Sequence, residues 1–171
     1  GHAGVLRLIR RTGAADANWN VNTTTNWITD ATLQTTAYLE EFGLGDRVRF
    51  DDTAAGNFSI VLATSVAPAE VVVSNTANDY AFSGSGGIGG AVGLLKQGAG
   101  TLTMGLSNSF AGGVNVAEGT LVIPADSALG LPVGALRVPA GATLRAAGTV
   151  AVPATRAVTV GTDAAAGTVT V

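Results

Sequence analysis

The chain has 171 residues, enough for one domain with a continuous core, and is 47% hydrophobic, only 12% charged and −3 in net charge. It has no Cys, and its one His is His2 at the extreme terminus, which removes disulfide frameworks, thiolate metal sites, cysteine nucleophiles and the usual histidine base from the domain proper. The acidic balance argues against a nucleic-acid partner, and apolar runs such as Val71-Val72-Val73 fall far short of the ~20 residues of a membrane span.

Residues 1–12 place Arg7, Arg10 and Arg11 within and after a short apolar patch, which is not the order of a secretory signal. Aromatic residues then gather. Eight of the nine (Trp19, Trp27, Tyr38, Phe42, Phe50, Phe58, Tyr80 and Phe82) lie in the first half, and Phe110 is the exception. The best candidate for a helix is residues 32–42, with Leu33, Ala37 and Glu40-Glu41; nothing else supports more than a turn or two. Alternation of apolar and polar residues recurs at 47–50, 58–62, 102–104, 114–116, 121–123, 136–138, 150–152, 158–160 and 169–171. Each such run reads as a short strand with one buried face. Gly, Pro, Asn or Asp punctuates the gaps, as at Gly112-Gly113, Glu118-Gly119 and Gly161-Thr162-Asp163. Thr168-Val169-Thr170-Val171 stops in mid-alternation with a strand edge bare, so the chain is expected to be a piece of something longer.

Spacing says more than the strands do. Val114 to Leu136 is 22 residues, Leu136 to Val158 is 22 again, and Leu121 to Leu144 is 23. A period of this length with several short strands in it is the pattern of a solenoid, in which no coil buries its apolar face alone. The expected fold is all-β, a single parallel β-solenoid over 1–171, with an aromatic-rich N-terminal cap or leading coils over 1–60 and regular coils over 61–171. The rival is a β-sandwich, which would show longer strands, more core aromatics and no recurrence at this period.

Residues 94–130 carry a recognisable pattern. Lys96 precedes Gly98-Ala99-Gly100-Thr101-Leu102-Thr103-Met104; Asn108-Ser109-Phe110-Ala111-Gly112-Gly113 follows, then Gly119-Thr120-Leu121 and Ala128-Leu129-Gly130. This run resembles the autotransporter-associated β-strand repeat, also called the passenger-associated transport repeat. It departs from that pattern at Val114, where Thr is usual, and at Gly105-Leu106, where Ser-Gly is usual. The resemblance implies a right-handed parallel β-helix inside a secreted or surface-displayed bacterial protein, extracellular or on the cell surface. It implies a repeat that aids export and folding, no catalytic residues, no cofactor, and neighbouring coils of a parent protein as partners.

Three features could carry other chemistry. Trp19, Trp27 and Tyr38, with Asn26 to hydrogen-bond hydroxyls, could form a platform for a polysaccharide, making the chain a carbohydrate-binding module; the same rings could instead plug the solenoid's open end. Asp46, Asp51 and Asp52 flank one strand and are weak candidates for a metal site or a glycosidase acid/base pair. Gly84-Ser85-Gly86-Gly87-Ile88-Gly89 satisfies a dinucleotide fingerprint in spelling, but Gly89-Gly90-Ala91-Val92-Gly93 cannot start the helix that fingerprint requires, so it reads as a turn.

Overall fold

The computed structural model describes residues 6–161 and 168–170, the last three as backbone only. His2, Val171 and the Thr162-Asp163 part of the last expected turn lie outside the described residues. The strands are short because Gly, Pro or Asn interrupts each β-compatible run within a few residues. The leading part holds β1 (Leu8–Arg11), β2 (Trp27–Thr29), β3 (Thr35–Thr36), β4 (Glu40–Glu41) and β5 (Leu44–Asp51). Then come β6 (Ser59–Val61), β7 (Pro68–Ser74), β8 (Tyr80–Ser83), β9 (Leu94–Gln97), β10 (Thr101–Met104), β11 (Val114–Val116) and β12 (Thr120–Ile123). A 3-10 turn at Asp126–Leu129 precedes β13 (Leu136–Val138), β14 (Thr143–Ala146), β15 (Val158–Val160) and β16 (Thr168–Thr170).

From β5 onward each odd strand pairs in parallel with the next odd strand in one sheet, and the even strands from β6 onward do the same in a second sheet. A chain that alternates between two sheets while advancing in parallel must wind, so each pair of strands with its connections is one coil. The third side of each coil is irregular; Val66 and Ile88 form an isolated parallel bridge there. This is the expected β-solenoid. The three pairs picked out by spacing, Val114 with Leu136, Leu136 with Val158 and Leu121 with Leu144, are register partners.

Register sets the core. Alternation in β5 to β15 points one residue in two inward, so Val48, Val71, Leu94, Val114 and Leu136 superpose in one interior column. Tyr80, Leu102, Leu121 and Leu144 superpose in a facing column of the second sheet. Aromatic side chains give way to aliphatic ones in two of the columns: Phe50 lies over Val73, and Phe82 over Met104. The wide interior is therefore at the leading end, where Trp19, Trp27, Tyr38 and Phe50 pack ring against ring with centroids 5.3–6.2 Å apart. There β2 runs antiparallel along the edge of β1, with β3 beyond it, so the first sheet continues past the first parallel coil in these two strands.

Two expectations are corrected. Residues 32–42 form no helix: they contain β3, β4 and a hairpin turn in which Phe42 and Gly43 both have positive φ, 54° and 77°. The inward pull on Tyr38, which joins the aromatic cluster, outweighs the helix propensity of that stretch. Residues 150–152 are not a strand but part of the third side, where Val150 packs on the core and Pro153 offers no N–H to a ladder.

Candidate functional site: the stapled repeat coil

The coil begun by β9 shows how adjacent coils are tied. Lys96 sits in an interior column between Val73 and Val116 and has no exposed surface. Its Nζ reaches the corner and donates to the carbonyls of Gln97 (2.8 Å), Gly98 (2.6 Å) and, in the next coil, Glu118 (3.3 Å). Gly119 makes room for it. A Cβ there would lie 2.3 Å from the Gly98 carbonyl oxygen and 2.9 Å from the Lys96 Nζ, and its φ is +73°.

Carboxylates bind the outside of the same corner. Glu118 accepts from the Gly98 N–H, Asp79 from the Thr101 N–H, and Asp52 from the N–H groups of Thr76, Ala77 and Asn78. Desolvation raises the Asp52 pKa, but its three backbone bonds outweigh that and hold it below the ordinary carboxylate value. Inside, Asn75 donates to the carbonyls of Asn78 and of Thr101 in the following coil.

Burial brings Lys96 from 10.5 down to about 8, against the pull of Glu118, Asp79 and Asp52. Burial raises Tyr38 and Tyr80 above 10.0, with Glu40 and Asp51 as their next-largest causes. The unfolded chain therefore binds more protons than the fold between about pH 8 and 10.5, so the Lys96 contribution makes stability rise across that window. Above pH 10 the two tyrosines ionise in the unfolded chain first, and stability falls. Urea midpoints measured from pH 7 to 11 should pass through an alkaline maximum. Lys96→Met should abolish the rise and leave the fall.

On the third side, Asn108 joins three coils: its Oδ1 accepts from the Ile88 N–H and its Nδ2 donates to the Ala128 carbonyl, both at 2.8 Å. Phe110 is buried beneath Gly130, where a Cβ would lie 2.4 Å from the Phe110 carbonyl oxygen. In the next coil the Arg156 guanidinium forks onto both oxygens of Asp126 (2.7 and 2.8 Å) and donates to the carbonyls of Leu129, Gly130, Leu131 and Gly134. The arginine side chain has 0% exposure in this pair. Lys96 and Asn108 stand in the sequence only as parts of the family motif, and no local pattern marks Arg156.

The residues of the candidate sugar platform lie in the interior. Trp19, Trp27, Tyr38 and Asn26 all have 0% exposure, so no ring face meets solvent. Asn26 has no hydrogen-bonding capacity to spare: its Oδ1 accepts from the N–H groups of Ala15 and Asp16, and its Nδ2 donates to Asp16 and to the Asn18 carbonyl. Beside it, buried Arg11 donates to the carbonyls of Asp16 and Asn18 and lies 5.6 Å over the Trp27 ring. Desolvation brings that guanidinium down to about 10.

The three aspartates do not converge. Asp46 is held by Arg7 and the Leu39 N–H, Asp51 by Thr53, and Asp52 by the turn above it. Asp46 and Asp51 lie five positions apart on β5, roughly 16 Å by strand rise, beyond the separation of either glycosidase geometry. Among the described residues no three His, Cys, Asp or Glu side chains gather as metal ligands. Gly84–Gly89 is a bend at Gly84-Ser85 leading to the single bridge residue Ile88, with Gly86 pressed against the backbone of Thr64 in the preceding coil. Lys96, Asn75, Asn108, Asp52 and Arg156 bind backbone groups of neighbouring coils, so what they do chemically is hold coils together.

No curated protein and no solved structure matches the chain. Residues 94–123 match the family model of the passenger-associated-transport-repeat. That stretch is β9 through β12, with Lys96, Asn108, Phe110 and Gly119, so the residues similar to this repeat are part of the stack of a β-solenoid.

Proposed function

We propose that the chain is a non-catalytic stalk segment of a secreted or surface-displayed bacterial passenger protein, whose coils stack during export and hold an extended rod outside the cell. The observation that carries this reading is the position of the matched repeat. It is not an appended motif but a stretch of the stack, paired in register with β7 and β8 on one side and β13 and β14 on the other. The bonds of Lys96 and Asn108 to backbone groups of adjacent coils agree with a holding role. An open groove of about 530 Å³ on the outer face has Glu70 and Arg137 as its charged lining residues, and Glu70 is already paired with Arg47.

The test places the chain ahead of a translocating outer-membrane barrel and adds protease to intact cells. The wild-type segment should reach the surface and be trimmed only near its ends. Leu102→Asp, which puts a charge at a fully buried position of the matched coil, should leave a segment that is digested throughout. Rapid digestion of the wild-type segment, or equal resistance of the two, would sink the proposal.

A further inference from the structure

The open groove of about 530 Å³ lies in the middle of the stack, on the outer face of β7, β9, β11 and β13. Register builds it. Val72, Leu95, Asn115 and Arg137 are successive partners and point outward, so they form one row about 14 Å long across four strands. Two positions earlier in each coil stand Glu70, Gly93, Gly113 and Ala135, and the side chains missing there leave the depression. The row changes character along its length. Val72 and Leu95 are half-buried and aliphatic; Asn115 and Arg137 are exposed, an amide and then a guanidinium. Glu70 is held by Arg47 at 2.8–2.9 Å, which leaves Arg137 as the uncompensated charge of the lining. Among the described residues, neither the Asn115 amide nor the Arg137 guanidinium has a hydrogen-bond or ion-pair partner, whereas Asn108 and Arg156 are bound to other coils.

A guanidinium takes a carboxylate through two parallel bonds, and a primary amide meets hydroxyls with donors and an acceptor together. Next to them the aliphatic pair suits the C–H face of a ring. A hexuronic acid sugar carries all three groups: a carboxylate, hydroxyls around its rim, and an apolar face. An extended acidic peptide is a poorer occupant. β9 and β11 are paired on both sides, so the groove offers no strand edge, and a peptide's N–H and C=O groups would lie unpaired over Val72 and Leu95. We infer that the groove is a binding site for an anionic polysaccharide built of hexuronic acid units, with Arg137 on a carboxylate, Asn115 on hydroxyls and ring faces over Leu95 and Val72. The chain as a whole is −3, so the anion is drawn by this guanidinium and not by overall charge. The inference rests on the register of the solenoid and not on the stalk reading.

Calorimetric titration of the 171-residue chain at low ionic strength tests it, with tetramers of galacturonic acid and of glucuronic acid as the added sugars. At least one of the two should bind saturably, and the neutral tetramers of galactose and glucose about tenfold or more weakly. Arg137→Leu should weaken the acidic tetramer by about tenfold or more, and Asn115→Ala by about two- to tenfold. Both side chains are exposed, so the circular dichroism should stay that of the wild type. Arg145→Leu removes an exposed cation from β14, on the other sheet, and should change the affinity by less than about twofold. No saturable binding of either acidic tetramer up to about 10 mM, equal binding of neutral tetramers, or an equal loss in Arg145→Leu overturns the inference. Tighter binding of tetraglutamate than of both sugars overturns it in favour of a peptide. Each of these results leaves the solenoid and the stalk reading intact.

Discussion

Trp19→Ala should lower the unfolding free energy by about 3–5 kcal/mol, as emptying a fully buried aromatic site does. Trp19 has no exposed surface and lies within ring contact of Trp27, Tyr38, Phe50 and Phe82, with centroids 5.3 to 6.2 Å away. Those four residues come from β2, the stretch before β4, β5 and β8, so one side chain links the leading strands to the first regular coils. Its indole N–H has no partner, so Trp19→Phe gives up an unsatisfied donor and should cost less than half as much. Guanidinium titration followed by circular dichroism measures both. A cost below about 1 kcal/mol for the alanine variant would mean that the plug is not what closes the stack.

Arg156→Ala should produce the second large effect, and a local one. It leaves Asp126 without its cation and strips donors from four carbonyls, a loss of about 3–5 kcal/mol for breaking a buried pair. Because each coil touches chiefly its neighbours, the damage should fall on the coils around residues 126–160. Amide exchange should lose protection across β13 and β15 while β1, β5 and β7 keep theirs. Arg156→Lys should not rescue it, since an ammonium has three donors and no planar fork. Unchanged exchange in β13 would show that the guanidinium is dispensable.

How much could be read from the residues alone follows from what repeats. Columns of like side chains are a period in the sequence, and so Val114, Leu136 and Val158 could be aligned before any coordinates. β7 was harder. Val71, Val72 and Val73 form an unbroken apolar run, yet Val72 faces outward and is half-buried, so the strand shows no alternation to find. The buried cations were invisible for a physical reason. Lys96 and Arg156 are satisfied mostly by carbonyl oxygens, and carbonyls leave no trace in residue identity. The aromatic end could be read as either plug or platform because ring content is the same for both. Burial depends on how distant stretches of the chain meet there, which ring content does not show.

The direction of the ladder has a mechanical consequence. In this stack the hydrogen bonds between strands run from coil to coil, along the long axis. Tension applied end to end therefore loads one rung at a time instead of shearing many together, and the chain would lengthen in steps of one turn each. The rung around Asn108, which spans three turns, would be where such a spring first stiffens.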